Sequence, residues 1–267
     1  MAEGAIRGAH LTMGEPYIEA DVVPVIQAQR DVNCARGLPS VRKDGTRDAT
    51  AAIVGFGPSL VDTVEQLRGF ETIWTVSKAH DFIIQRGIIP THHTDVDYRE
   101  HKAHYNRLWG PDTRYVMATQ VHPTYLNALA WHHVELFHVV QPGGGLYDPR
   151  YYKCQVAFDA GLQAARVAYE LGYRNQEWFG MDASIEAAGT HAGPHEGWGI
   201  IEKQDGEALV PIPVETAGKV RTMNAFLLRQ ALFAERMLRE LPRLKVTIVG
   251  DGALRPFLQE RGRCRVV

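Results

Sequence analysis

The chain has 267 residues, 45% hydrophobic and 22% charged, with a formal net charge of −2 at pH 7. That is ordinary globular composition, and it gives no support to bulk electrostatic binding of nucleic acid, although a local basic patch stays open. Cys34, Cys154 and Cys264 are widely spaced with no CxxC pair, no apolar signal core opens the chain and no run reaches membrane-helix length. The expectation is therefore a soluble cytoplasmic protein with structural thiols and no membrane partner.

Residues 1–50 are weakly patterned and read as an N-terminal extension, with room for a short helix in "IEADVVPVIQAQRDV" and a polar linker in "RGLPSVRKDGTRDAT". From residue 51 strands and helices alternate. "AAIVGF" is a short apolar strand, and "LVDTVEQLRGF" has helical spacing up to Gly69. "ETIWTVS" is a second strand and "AHDFIIQRG" a helix stopped by Gly87. "IIPTHHTDV" and "RYVMAT" are the third and fourth strands. "HPTYLNALAW" is a helix with Pro123 in its first turn, and "VELFHVV" is the fifth strand. "YKCQVAFDAGLQAARVAYELG" reads as one long helix capped by Gly172, and "NQEWFGMD" as the sixth strand. Beyond a His/Gly-rich loop, "GIIEKQDGEALVPIP" reads as a hairpin turning at Asp205-Gly206. "KVRTMNAFLLRQALFAERMLREL" reads as a long amphipathic helix, "LKVTIVG" as a last strand and "GALRPFLQERG" as a closing helix. Strands separated by helices predict an α/β fold with a doubly wound, mostly parallel sheet, a C-terminal hairpin and a long helix. Such sheets bind ligands at the edge formed by the strand C-termini.

Three segments fall on that edge. Gly55-Phe56-Gly57-Pro58-Ser59 joins the first strand to a helix, where backbone N–H groups and the helix dipole favour an anion. The spacing is neither GxGxxG nor GxxxxGK[ST], which speaks against dehydrogenases and P-loop kinases, and Ser59 lacks a GxSxG elbow. In "THHTDVDYREHK", Asp95 and Asp97 flank Val96 and share a face of an extended segment. Paired carboxylates suit Mg²⁺ or Mn²⁺, and Arg99 and Lys102 follow as phosphate contacts. In "FGMDASIEAAGTHAGPHEG", Asp182 comes directly after a strand, and His191 and His195 lie four apart in a glycine-bounded loop. The glycines and Pro194 argue against a helical zinc pair, leaving acid/base or phosphate-contacting work for the histidines.

"IVGFGPSL", "AHDFIIQRGIIPTHHTDVDYREHKA" and "WFGMDASIEAAGTHAG" together resemble the MAF/MptE-like superfamily, over roughly residues 51–195. That group includes motility-associated glycosylation proteins and hydroxymethylpterin diphosphokinase-like proteins, and the GPSL turn also resembles bacterial lipooligosaccharide sialyltransferases. The resemblance implies a Rossmann-like transferase domain over 51–267 that uses a nucleotide-linked phosphate donor. Gly55, Gly57, Pro58 and Ser59 would then contact the donor, Asp95 and Asp97 would place a metal, and Asp182 with the following histidines would close the active site. The leading expectation is a glycosyltransferase using a nucleotide-sugar donor, with a small-molecule or macromolecular hydroxyl as acceptor. The alternatives are a pyrophosphokinase moving diphosphate from ATP to a hydroxymethyl-pterin-like heterocycle, and a non-catalytic nucleotide-binding protein. The apolar face of the 218–240 helix could be covered internally or by a second copy, so a homo-oligomer is also open.

Overall fold

The structure, a computed structural model, describes residues 21–141, 143–185, 191–193, 212–216 and 218–264. It opens with helix α1 (Val22–Ala35). Six strands follow: β1 (Arg47–Val54), β2 (Thr72–Val76), β3 (His92–Thr94), β4 (Arg114–Ala118), β5 (His133–Val140) and β6 (Tyr152–Gln155). Between them lie α2 (Leu60–Thr63), α3 (Ala79–Ile84) and α4 (Pro123–Ala128). After β6 come α5 (Ala160–Glu170), β7 (Tyr173–Phe179), the hairpin β8 (Ile212–Thr216) and β9 (Lys219–Met223), α6 (Ala225–Glu240), β10 (Lys245–Val249) and α7 (Leu254–Glu260).

The main sheet has eight strands in the order β10-β7-β1-β2-β3-β4-β5-β6, and every pairing is parallel. Strands β1 to β6 march outward on one side, and the chain then returns to place β7 and β10 on the other. The winding reverses between β1 and β7, the position where open α/β sheets form a ligand crevice. Strand β1 sits at the centre with both faces covered. Ala51 and Ile53 join the core on one face, while Ala52 and Val54 join the core on the other, as a two-residue period requires. Trp74 and Trp178, both fully buried, fill the larger core.

Three local readings of the sequence are corrected by the structure, and a fourth falls outside it. "YKCQ" is strand β6, paired with β5 at the sheet edge, and the helix after it starts only at Ala160. The start is set by Asp159, whose carboxylate accepts from the Leu162 N–H at 2.8 Å. "KVRTM" is strand β9 rather than the first turn of the long helix, and Asn224 caps α6 by accepting from the Leu227 N–H at 2.8 Å. The predicted turn at Asp205-Gly206 lies outside the described residues, and the hairpin the structure shows turns at Gly218. The helix after β1 is a single α-turn followed by a 3₁₀ segment, Val64–Gly69.

Helix α1 covers the C-terminal ends of β4 and β5. The Asn33 side-chain amide donates to the carbonyls of Thr119 and Val121 at 3.0 and 2.8 Å, with Ile26 and Cys34 buried beside it. Among the described residues no helix is long and apolar enough to cross a membrane.

Candidate functional site

The glycines after β1 serve a close approach, and the molecule that approaches is the protein itself. The Gly55 N–H donates to the Phe179 carbonyl, and the Gly57 N–H to the Gly180 carbonyl, both at 2.8 Å. A Cβ on Gly55 would meet the Gly180 carbonyl oxygen at 2.6 Å, and one on Gly57 would meet that same oxygen at 2.6 Å and the Asp182 carboxylate as well. Only glycine lets the two loops at the switch point touch this closely. Asp182 completes the join: one carboxylate oxygen accepts from the Ser59 N–H at 2.8 Å and the other from the Ser59 hydroxyl at 2.5 Å. Asp182 and Ser59 are both buried, at 3% exposure each.

This changes the physics expected of the turn. The N–H groups of Gly55, Gly57 and Ser59 are spent inside the protein, Pro58 has none, and the following α-turn is too short to focus a macrodipole. Pro58 and Ser59 are buried behind the cleft wall rather than lining it, so they are not phosphate contacts in this structure. Asp182 borders the cleft, but both its oxygens grip Ser59, which makes it a clamp rather than an open acid or base.

The cleft itself has a volume of about 580 Å³ and lies over the C-terminal ends of β1, β2, β3 and β7. Gly55, Gly57, Asp95, Asp97, Arg99, Lys102, Asp182 and His191 all border it, so three segments far apart in sequence meet at one rim. His195 lies outside the described residues. The far wall comes from the starts of α5 and α6, through Phe158, Asp159, Phe226 and Gln230. No sequence motif marks these four; they reach the cleft because two capped helices begin there.

Asp95 forms the most unusual part of the floor. It is 2% exposed, and one carboxylate oxygen accepts from the N–H groups of Val96 and Asp97 at 2.7 and 3.0 Å. The other oxygen, Oδ2, is buried and has no hydrogen-bond partner among the described residues. A buried polar atom left this way is costly unless something fills the position. Burial pushes the Asp95 carboxyl up to about 6, with Lys102 opposing and Asp97 adding to the rise. Asp97 behaves differently. Burial raises it too, but the Arg99 guanidinium, in a two-pronged pair with contacts of 2.9 and 2.6 Å, and the Lys102 ammonium at 3.6 Å hold it below the usual range.

The pair therefore does not offer two open carboxylates to a metal ion. Among the described residues no group of three or more His, Cys, Asp or Glu side chains is placed to share one. A divalent cation at this place would have Asp95 as its one protein carboxylate, and ligand oxygens would have to complete its shell.

His191 is half-buried against Phe56, with ring centroids 6.0 Å apart, and the neighbouring Ala192 N–H donates to the Phe56 carbonyl at 2.9 Å. Burial, and then the charges of Lys102 and Lys78, push its pKa down to about 4. It is a neutral imidazole at pH 7 and therefore not a cationic phosphate contact.

Among the described residues, two non-glycine residues have left-handed backbone, Ser77 with φ +46° and Ala183 with φ +48°, and both border the cleft. Backbone strain of this kind gathers at functional sites. Ser77 is not among the candidate residues read from the sequence; the signal that could have found it is its place at the end of the second strand, on the ligand edge of the sheet.

The sequence profile of the family described as 6-hydroxymethylpterin diphosphokinase MptE-like matches residues 32–187, more than half of the chain. The chain belongs to this family. It is also similar in structure to a protein described as MAf glycosyltransferase from Magnetospirillum magneticum AMB-1, with a TM-score of 0.68 and 14% identity. The match covers 96% of this chain and 39% of the other, so the chain spans about two fifths of that protein's length. At such low identity the likeness establishes the shared Rossmann-like fold. No curated protein matches the chain in sequence. Membership of this family marks the chain as transferase-like, and the matched segment carries the clamp, Asp95, Asp97, Arg99 and Lys102.

Proposed function

We propose that this protein transfers a group from a nucleotide-linked phosphate donor to a hydroxyl acceptor, with glycosyl transfer from a nucleotide sugar as the leading reading. The observation that carries it is the buried Asp95 carboxylate, whose Oδ2 has no hydrogen-bond partner among the described residues, at a cleft that Arg99, Lys102 and a neutral His191 also border. The cationic side chains suit the charge that builds on a phosphate leaving group. A neutral imidazole suits removal of the proton from an attacking hydroxyl. Asp182 acts in this reading as a positioning residue, holding the β1 turn against the β7 turn.

Mg²⁺ or Mn²⁺ enters the proposal through Asp95, with donor oxygens and water as its other ligands; when bound it would offset leaving-group charge. Diphosphate transfer from ATP is the second reading, favoured by the description of the family. A donor panel separates the two. Incubation with nucleotide sugars should release free nucleotide, whereas ATP should yield AMP only if diphosphate is the moving group. Asp95→Asn should suppress whichever product forms. No turnover with any donor, together with no donor-dependent thermal stabilisation, would count against the transferase reading.

A further inference from the structure

A phosphorylated donor needs groups that hold its phosphate, and the turn after β1 has spent its N–H donors internally. One strand over, the turn after β2 is built differently. Ser77 borders the cleft, and its hydroxyl oxygen is buried with no hydrogen-bond partner. Lys78 follows it. The Lys78 ammonium lies 4.5 Å from the Tyr105 ring centroid, and the Lys102 ammonium lies 4.4 Å from the same centroid, so two cations crowd one ring. Both also act on the His191 imidazole inside the cleft. After β7, Ser184 borders the same cleft, is 2% exposed, and its hydroxyl also has no partner among the described residues. Ser184 follows Ala183, the other residue with left-handed backbone. The acidic groups bordering the cleft are Asp95, Asp97, Asp159 and Asp182; Arg99 offsets Asp97, Asp159 accepts from the Leu162 N–H, and Asp182 is held by Ser59.

We propose that the Ser77 and Ser184 hydroxyls, with the Lys78 and Lys102 ammonium groups, form the phosphate-binding subsite of this cleft. The inference rests on the donor reading above and relocates its anchor from the β1 turn to the turns after β2 and β7. Each hydroxyl donates to a phosphate oxygen, which supplies the partner that both serines lack, and the ammonium groups supply countercharge. The ligand class is a phosphate ester or diphosphate. An uncharged nucleoside would leave the subsite empty.

The test compares wild type, Ser77→Gly, Ser77→Ala, Ser184→Ala and Lys78→Gln by calorimetric titration with inorganic pyrophosphate, UDP, CDP, ADP and uridine. Glycine tolerates the left-handed backbone at position 77. Ser77→Gly should therefore stay as resistant to urea as wild type, or become more so, while losing the hydroxyl. A hydrogen bond to a charged phosphate is lost in each serine variant, so about tenfold weaker binding of pyrophosphate and of the best nucleotide is expected. Lys78→Gln should weaken binding similarly and flatten its salt dependence. If wild type binds a phosphorylated probe and both serine variants bind it within twofold, the subsite is wrong and the donor reading survives. If wild type binds none of the phosphorylated probes, both fall. Ser77→Ala serves as a check on strain, since it should match glycine in binding and fall below it in stability.

Discussion

Replacing Asp182 by alanine separates a structural clamp from a catalytic acid. The substitution removes the acceptors of two buried hydrogen bonds, from the Ser59 N–H at 2.8 Å and the Ser59 hydroxyl at 2.5 Å. Each bond to a charged group is worth about 1.5–3 kcal/mol, and both Ser59 donors would be left buried and unpaired. The expected loss is about 3–5 kcal/mol, which for a chain of this size lowers Tm by about 10 °C. Urea unfolding followed by tryptophan fluorescence reads it directly, because Trp74 and Trp178 are fully buried. Ser59→Ala, which removes only the hydroxyl donor, should cost about 1–2 kcal/mol. The double variant should cost little more than Asp182→Ala, because the two residues share one interaction. Loss of activity in Asp182→Ala with stability within 1 kcal/mol of wild type, a bound set against the expected loss, would refute the clamp and return Asp182 to the chemistry.

Asp95→Asn should stabilise the protein while impairing it. A folded-state pKa raised from 3.8 to about 6 means that folding disfavours the charged carboxylate. Stability on this account is highest below pH 3.8, falls as pH rises toward 6 and stays lower above it, by up to about 3 kcal/mol. The asparagine variant, in chelator-treated protein, should therefore gain stability at pH 7–8 and lose that advantage at pH 4; an equal difference at both values would contradict the buried, ionisable setting. For His191, a pKa lowered to about 4 keeps the neutral imidazole down to about pH 5, so its ring proton NMR shifts should stay constant from pH 8 to about 5; a titration near 6.5 would show an exposed histidine instead. Gly57→Ala should destabilise by about 1–3 kcal/mol in urea unfolding, because its Cβ would press on the Gly180 carbonyl and the Asp182 carboxylate. A neutral result there would mean the two loops are not in contact.

Much of the fold was legible because the pattern of small and β-branched strands ending in glycine or polar turns survives in a sheet buried on both faces. "AAIV" reads as a central strand and is one. What failed was local. "YKCQ" shares its apolar spacing with the helix after it, and only the cap at Asp159 divides them. "KVRTM" is divided from α6 by Asn224 in the same way. For the site, the edge rule brought Gly57, Asp95, Asp97 and His191 to one cleft before any coordinates, since all follow strand ends of a parallel sheet. Hydrogen bonding was invisible to that rule. It could not show that Ser59 and Asp182 bind each other, that Arg99 occupies Asp97, or that Asp95 Oδ2 and the hydroxyls of Ser77 and Ser184 are buried without a partner among the described residues.

The most direct test is a crystal structure with the nucleoside diphosphate that gives the largest thermal stabilisation. The account predicts phosphate density in the 580 Å³ cleft, within hydrogen-bonding reach of Ser77 or Lys102 and over the floor formed by Asp95. Phosphate bound on another face of the sheet, with this cleft filled only by water, would contradict it.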